Sequence, residues 1–449
     1  MTSPVTFAPA VKEVMPQQSS SAPLDSVLFY GTFGLLLFGP LAFGAVEPWS
    51  IFIMQAGAAS LFVLWALGQI ASGELQITSN PLFPPMLAFA ALVLLQFASG
   101  RTAYRSATLS SALLYCTYGL LCFLTVQSLR RTWQIKILAV VFTAYGFALA
   151  LFALFQSIAS NGKLYWLRNP RFGGWIYGPY VNHNHYAGLM EMLAPIPLVI
   201  SFSRQAQGPR KAVAALAAAV MASTIFLSGS RGGMLAFTVQ MAVLATVLIR
   251  RRKTAKTALL VGAFLAIGFG LLAWLGGGEL SERIASIQST AKTELSGGMR
   301  LNIDRDALKM LTHKPVLGWG LSTFPEVYPE FRSFYTNLSV DAAHNDYLQL
   351  LVEMGALGFV TVLWFLVVLY RCAVMKLKAW PHDINSSLSL AALLGVTGIL
   401  VHSFVDFNLQ IPANAALFYG LCVIAAMEPR FGLQRSKHRA LRLSSDDSA

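Results

Sequence analysis

The chain has 449 residues, of which 55% are hydrophobic and only 12% charged, with a mean hydropathy of +0.59. A soluble domain carries about 25% charged residues, so this composition excludes a water-soluble enzyme with one large core, and with it disordered, collagen-like and disulfide-scaffold chains. The formal charge of +13 can signal nucleic-acid binding, but here the basic residues sit at alternate boundaries of apolar runs and form no stripe, so no nucleic-acid partner is expected.

In chain order, runs of about 20 apolar residues, long enough to cross a bilayer as helices, lie near 26–45, 50–71, 81–98, 112–129, 137–159, 185–203, 212–228, 233–249, 257–276, 347–370, 386–404 and 414–428. They predict an all-α polytopic transmembrane bundle of about twelve spans over 26–428, with one large loop at 277–346, flanked by tails at 1–25 and 429–449. With the N-terminus in the cytoplasm, most of the 33 Lys and Arg residues fall on the cytoplasmic side, as the positive-inside rule requires. Both termini are therefore expected in the cytoplasm. Residues 1–25 lack the basic start of a cleaved signal, so the first span is expected to be retained. Cys116, Cys122, Cys372 and Cys422 lie in spans or at the cytoplasmic boundary, which predicts neither a structural disulfide nor a cysteine metal site.

The spans are nearly bare of ionisable groups: Glu191 and Glu353 lie within or near helix ends, and His402 lies near an outer end. A transporter would carry such groups deep in its helices. The outer side is instead the polar one, at 160–184, 229–232, 277–346 and 405–413. That asymmetry predicts a site at the outer membrane face.

Four stretches there carry chemistry. In Ser228-Gly229-Ser230-Arg231-Gly232-Gly233, small residues let backbone approach an anion while amides and hydroxyls donate to it. Arg231 either grips a phosphate or caps carbonyls in the hairpin. In the large loop, residues 300–314 read as a short helix with Leu301, Leu308 and Leu311 roughly on one face, stopped by Pro315. After the Gly318-Trp319-Gly320 turn come Phe324, Tyr328, Phe331 and Tyr335. This stripe either docks the loop on the bundle or stacks on sugars or lipid. The third stretch, Asp341-Ala342-Ala343-His344-Asn345-Asp346, opens the tenth span. A helix N-terminus disfavours imidazolium, so His344 can accept a proton near neutral pH, with Asp341 or Asp346 to orient it. Gly355 and Gly358 follow and predict close helix packing. Fourth, Asn182-His183-Asn184-His185 opens the sixth span, and His402 and Asp406 close the eleventh. Polar contacts to a sugar or diphosphate, or helix capping, suit them better than a metal, because histidines two apart do not share a helix face.

His344-Asn345, followed after nine residues by Gly355-x-x-Gly358, resembles the signature of bacterial O-antigen ligases. The Ser230-Arg231-Gly232 turn and Arg300 look like the broader superfamily, which includes O-antigen polymerases and the oligosaccharyltransferases of pilin-type O-glycosylation. The resemblance extends over roughly 140–428. It implies a cofactor-free, metal-independent, inverting glycosyltransferase of the bacterial inner membrane, acting at the periplasmic face in lipopolysaccharide or surface-polysaccharide synthesis. Its donor would be a glycan on undecaprenyl diphosphate. The acceptor hydroxyl would belong to lipid A-core, to another glycan (as in a polymerase) or to a protein Ser. Arg231 and Arg300 would hold the diphosphate and His344 would take the acceptor proton. Ser230, Gly232, Arg305, Asn345, Asp406, Asn184 and His185 would contact substrate. The rival readings are a transporter or flippase of lipid-linked glycans, which would need charges deep in the helices, and a receptor or scaffold, which gives no reason for Arg231, Arg300 and His344 to gather on one face.

Overall fold

The computed structural model describes residues 22–170, 174–252, 297–336 and 339–427. The expected span at 257–276, the start of the long loop at 277–296 and most of both tails lie outside them. Fourteen α-helices form among the described residues: α1 Ala22–Leu41, α2 Pro48–Ser72, α3 Phe83–Ala98, α4 Arg105–Ser128, α5 Thr132–Ile158, α6 His183–Leu193, α7 Pro195–Phe202, α8 Pro209–Leu227, α9 Arg231–Arg252, α10 Gly297–His313, α11 Phe324–Val327, α12 Asp346–Lys376, α13 Ile384–His402 and α14 Pro412–Ala426. Strand-like pairing among these residues is limited to two isolated bridges, Leu164 with Arg168 and Tyr177 with Tyr180.

The protein is an all-α polytopic membrane bundle. Nine helical segments among the described residues are long and apolar enough to cross a bilayer, α6 and α7 counting as one across Pro195, while α3 and α14 are shorter apolar helices. Eleven of the expected spans coincide with these helices, and the twelfth is the undescribed 257–276.

The helices differ sharply in what surrounds them. The apolar window of α6–α7 is 83% buried inside protein and that of α13 is 78%, against 17% for α2. So α6–α7 and α13 form the centre and α2 faces lipid. The central helix α13 packs on α9, α14, α7 and α6. Without a hydrophobic drive between helices in lipid, small residues and polar side chains hold such contacts. Gln240 of α9 donates to the carbonyls of Glu191 on α6 (2.8 Å) and Leu394 on α13 (2.9 Å). A Cβ at Gly398 would run into that amide, and one at Gly395 would lie 2.8 Å from the Met192 carbonyl.

Above the helix ends, the segment from α10 to His344 builds its own small core from Ile303, Ala307, Met310, Phe324, Tyr328, Val340 and Ala343, closed against Leu348 and Val352 of α12. Of the three leucines expected on one face of α10, only Leu311 packs against this core. Leu301 and Leu308 are both 52% exposed, and the inward stripe is instead Ile303, Asp306, Ala307 and Met310. Asp306 can be buried there because one oxygen accepts from Ser333 N (2.9 Å), Ser333 Oγ (3.0 Å) and Tyr328 Oη (3.4 Å). The aromatic stripe does not make one helix, since Pro325 and Pro329 reduce it to α11 and a single 3-10 turn over Tyr328–Glu330. Phe324 and Tyr328 stack at 5.1 Å inside the small core, Phe331 packs on its edge, and Tyr335 stands 83% exposed.

Gly355 also works differently from expectation. It breaks α12 at φ 63°, ψ −169°, and the loop 315–320 docks on the break. Ala356 N donates to Pro315 O (2.8 Å), Trp319 N to Val352 O (3.0 Å) and Gly320 N to Glu353 O (2.9 Å). A Cβ on Gly355 would collide with the Val316 carbonyl, while Gly358 faces Met354 of its own helix and Leu92. Gly355 therefore admits a loop, whereas Gly358 lies toward Leu92 of the neighbouring helix α3.

Candidate functional site

Several of the expected site residues, but not Arg305, lie at one end of the bundle, around the turn that joins α13 to α14. Residues 402–408 are the meeting point.

α9 begins beside it. Ser230, fully buried, caps this helix by accepting from Gly233 N at 3.1 Å, the usual role of a serine at that position. Gly229 adopts φ 78° under the Trp175 ring, and Trp175 stacks on His183 at 4.3 Å. Gly232 lies against the turn: a Cβ there would stand 2.7 Å from His402 Nε2 and 2.9 Å from Val405 Cγ2. Arg231, at the first helical position, is exposed. The first amides of a helix have no carbonyl above them, and here Ser230 Oγ takes up that of Gly233.

α10 delivers Arg300, whose Nη1 donates to the Val405 carbonyl at 3.0 Å. Arg305 is exposed on another side of the same helix and is not brought to the turn.

α12 delivers His344 from just outside its start. Asn345 caps the helix by accepting from Leu348 N at 3.2 Å, so its carbonyl oxygen serves the fold. His344 precedes the cap and sits in the left-handed region at φ 54°, which costs a non-glycine residue of order 1–3 kcal/mol and needs support from its surroundings. Support comes from Ala343 N, which donates to Gln349 Oε1 (3.0 Å), and from Gln349 Nε2, which donates to Glu353 Oε1 (3.0 Å). Glu353 also accepts from Ser322 N at 2.7 Å.

The carboxylate that faces His344 is not the neighbouring Asp341 or Asp346. Asp341 takes its bond from Ser339. Asp346 ties α12 to the turn, accepting from Ser403 Oγ (2.8 Å), Leu409 N (3.1 Å) and Gln410 Nε2 (3.3 Å). His344 Nδ1 instead lies 3.7 Å from Asp406 Oδ1, and His185 Nε2 approaches the same oxygen at 3.9 Å. Phe407 sits between the two imidazoles, with ring centroids 4.7 Å from His344 and 4.8 Å from His185. Both facing nitrogens are buried and make no hydrogen bond. Burial alone would raise the Asp406 carboxyl, but the contact with His344 and the charges of His185 and His402 outweigh it and hold it well below the usual carboxylate range.

α6 delivers His185 and, one turn earlier in the chain, the Asn182 cap, which accepts from Asn184 N at 2.8 Å. Asn184 itself is buried at the start of α6. Two turns deeper, Glu191 and His402 share a hydrogen bond of 2.8 Å with both side chains buried. The sequence reading noted both residues but did not pair them. An ionisable residue inside a span calls for a named partner, and that rule was the available signal. Asp304, on α10 one turn after Arg300, was missed altogether and carries no local motif. Among the described residues, no group of three or more His, Cys, Asp or Glu is arranged to hold a metal ion.

Residues 216–363 match the family model described as O-antigen ligase. The matched stretch contains Ser230, Arg231, Gly232, Arg300, Arg305, His344 and Asn345, and leaves Asn184, His185 and Asp406 outside it. No curated protein matches the chain.

Proposed function

We propose that this protein is a membrane glycan transferase of the O-antigen ligase and polymerase type, a reading supported by the match over residues 216–363, and that it moves a glycan from undecaprenyl diphosphate to an acceptor hydroxyl at the periplasmic face of the inner membrane. One observation carries the reading. The Arg231 turn, Arg300 and His344, far apart in sequence, all contact or face residues 402–406 at one end of the bundle. The opposite end holds Arg130, Arg131 and Arg204 in short connections, the side the positive-inside rule assigns to the cytoplasm.

In this mechanism the acceptor oxygen attacks the anomeric carbon from the face opposite the diphosphate. The bond from that carbon to the diphosphate oxygen breaks with inversion, and undecaprenyl diphosphate leaves with the electron pair. The acceptor proton passes to His344. Charge develops on the leaving oxygen, where Arg231, Arg300 and the first amides of α9 donate to it. One such preorganised donor is typically worth about 10²–10³-fold in rate. Asp406 steadies the imidazolium once it forms.

The test uses purified protein, an undecaprenyl-diphosphate-linked oligosaccharide and candidate acceptors, with EDTA present. New glycan conjugates are expected, and His344→Ala should lower kcat by about 10²–10⁴-fold with the donor KM unchanged. Turnover abolished by EDTA would overturn the metal-free chemistry, and full turnover by His344→Ala would remove the base. Products that lengthen by repeat units would assign the polymerase branch.

A further inference from the structure

Arg300 and Asp304 lie one turn apart on α10, a spacing at which opposite charges normally meet. They do not pair here. Arg300 reaches the Val405 carbonyl through Nη1, while its Nε is buried without a hydrogen-bond partner. Asp304 Oδ1 is likewise buried and unpartnered. Buried polar atoms are nearly always satisfied, and each exception calls for an explanation. Ala307, the next residue on this face, is buried in the small core that also contains Ala343, the neighbour of His344. This side of α10 thus shares a core with the residue that precedes His344. Burial raises the Asp304 carboxyl and the nearby His344 imidazole lowers it in part, so the group is short of donors and close to the proposed base.

A carboxylate repels a diphosphate and accepts from hydroxyls. The acceptor hydroxyl that attacks has one proton, and in the reading above it goes to His344. We propose that Asp304 touches substrate by accepting a hydrogen bond from a second hydroxyl, vicinal to the nucleophile, so that the site selects a sugar acceptor carrying a vicinal diol over an isolated protein hydroxyl. Arg300 Nε then supplies the complementary donor to the same ring or to the departing phosphate. This rests on the proposed transferase function and adds the class of acceptor to it.

The experiment scores transfer from an undecaprenyl-diphosphate-linked oligosaccharide to a panel of methyl hexopyranosides, to their monodeoxy counterparts and to a serine-containing peptide. Wild-type protein is expected to use sugars and not the peptide. It should lose roughly 10²-fold or more in kcat/KM on one monodeoxy acceptor, because a site built to bond a hydroxyl rejects the analogue that lacks it. Asp304→Asn should lose a similar factor on the complete sugar, keep the donor KM and thermal midpoint of wild type, and show no further loss on the same monodeoxy acceptor. That non-additivity is a signature a merely structural role does not produce. Wild-type kcat/KM in Asp304→Asn, losses that multiply, or efficient use of the peptide would each overturn the proposal while leaving the transferase reading intact. No transfer by wild-type protein to any acceptor would overturn both.

Discussion

The pair most exposed to a decisive perturbation is Glu191 with His402. Their 2.8 Å hydrogen bond joins α6 to α13 with both side chains buried, and a Cβ on Gly233 of α9 would sit 3.0 Å from Glu191 Oε1. Three helices thus converge on one polar contact in a medium without water. Removing one partner strands the other, at a cost of about 3–5 kcal/mol for buried pairs. Replacing both with apolar groups of similar volume is close to neutral by comparison. The expected cycle follows. Glu191→Leu and His402→Leu each lower the apparent melting temperature strongly, Glu191→Gln less because a neutral hydrogen bond survives, and the double leucine variant is nearer wild type than either single. Thermal unfolding in detergent, read by size-exclusion recovery, measures wild type and the four variants under one condition. The double variant should nevertheless turn over slowly, since Gly232 loses the ring it packs on and Arg231 its fixed place. Single variants that melt with wild type, or additive losses in the cycle, would refute the argument that this pair is coupled and buried.

Other outcomes follow from the same geometry. Gly232→Ala places a methyl 2.6 Å from His402 Cδ2, and that ring cannot yield because Glu191 holds it. A destabilisation of about 1–3 kcal/mol, typical of overpacking, is expected with a larger proportional fall in turnover, and a variant as active as wild type would contradict the contact. For pH, Asp406 has a depressed folded value. Its stabilisation is full above the unfolded value near about 4 and is lost only as pH falls through the folded one, so it stays a carboxylate from pH 5 to 9. Asp406 itself therefore contributes no acid limb to the rate profile in that range. Asp406→Asn removes the carboxylate that faces His344 Nδ1 and should lower kcat with the donor KM unchanged, and a variant as active as wild type would separate Asp406 from the base. In the outer segment, Tyr328→Ala should destabilise by about 3–5 kcal/mol as a large buried ring, whereas Tyr335→Ala should change stability by less than about 0.5 kcal/mol. Equal effects in urea unfolding would mean the small core is not built as described.

The helices were readable because a run such as Thr132–Ile158 has few soluble alternatives once it exceeds the thickness of a bilayer. Local motifs also pointed to the residues proposed as donors and base, since Ser230–Gly232 and His344–Asn345 each carry their signal within a few residues. Pairings were harder. Adjacency suggested Asp341 or Asp346 for His344, yet Asp346 holds Ser403 and Leu409, and Asp406 faces the ring from 62 positions away. Gly355-x-x-Gly358 reads the same whether a helix or a loop backbone approaches, and only φ 63° at Gly355 decides for the loop. On α10, two apolar stripes satisfy helical spacing. The one turned inward contains Asp306, which no hydrophobicity rule would choose before its donors on Ser333 are seen.

The location of the site has a physical cause that extends past its motifs. Charged and imidazole groups in a membrane are tolerated where protein, not lipid, surrounds them. Helix α2, with 17% of its apolar window buried, offers no such place, whereas α6–α7 and α13 at 83% and 78% do. Glu191 and His185 ride on the first of these, His402 ends the second, and Asp406 follows in the adjoining turn. Glycines at 232, 233, 395 and 398 bring α9 and α6 onto α13 closely enough that no lipid chain can enter between them. The groups assigned to the proposed reaction collect where these shielded helices emerge, the place where a histidine and two arginines can be out of lipid and still meet a substrate carried, in the proposed function, by a membrane lipid. Breaking the Glu191–His402 contact from one side only, as either single leucine substitution does, therefore perturbs chemistry and stability together.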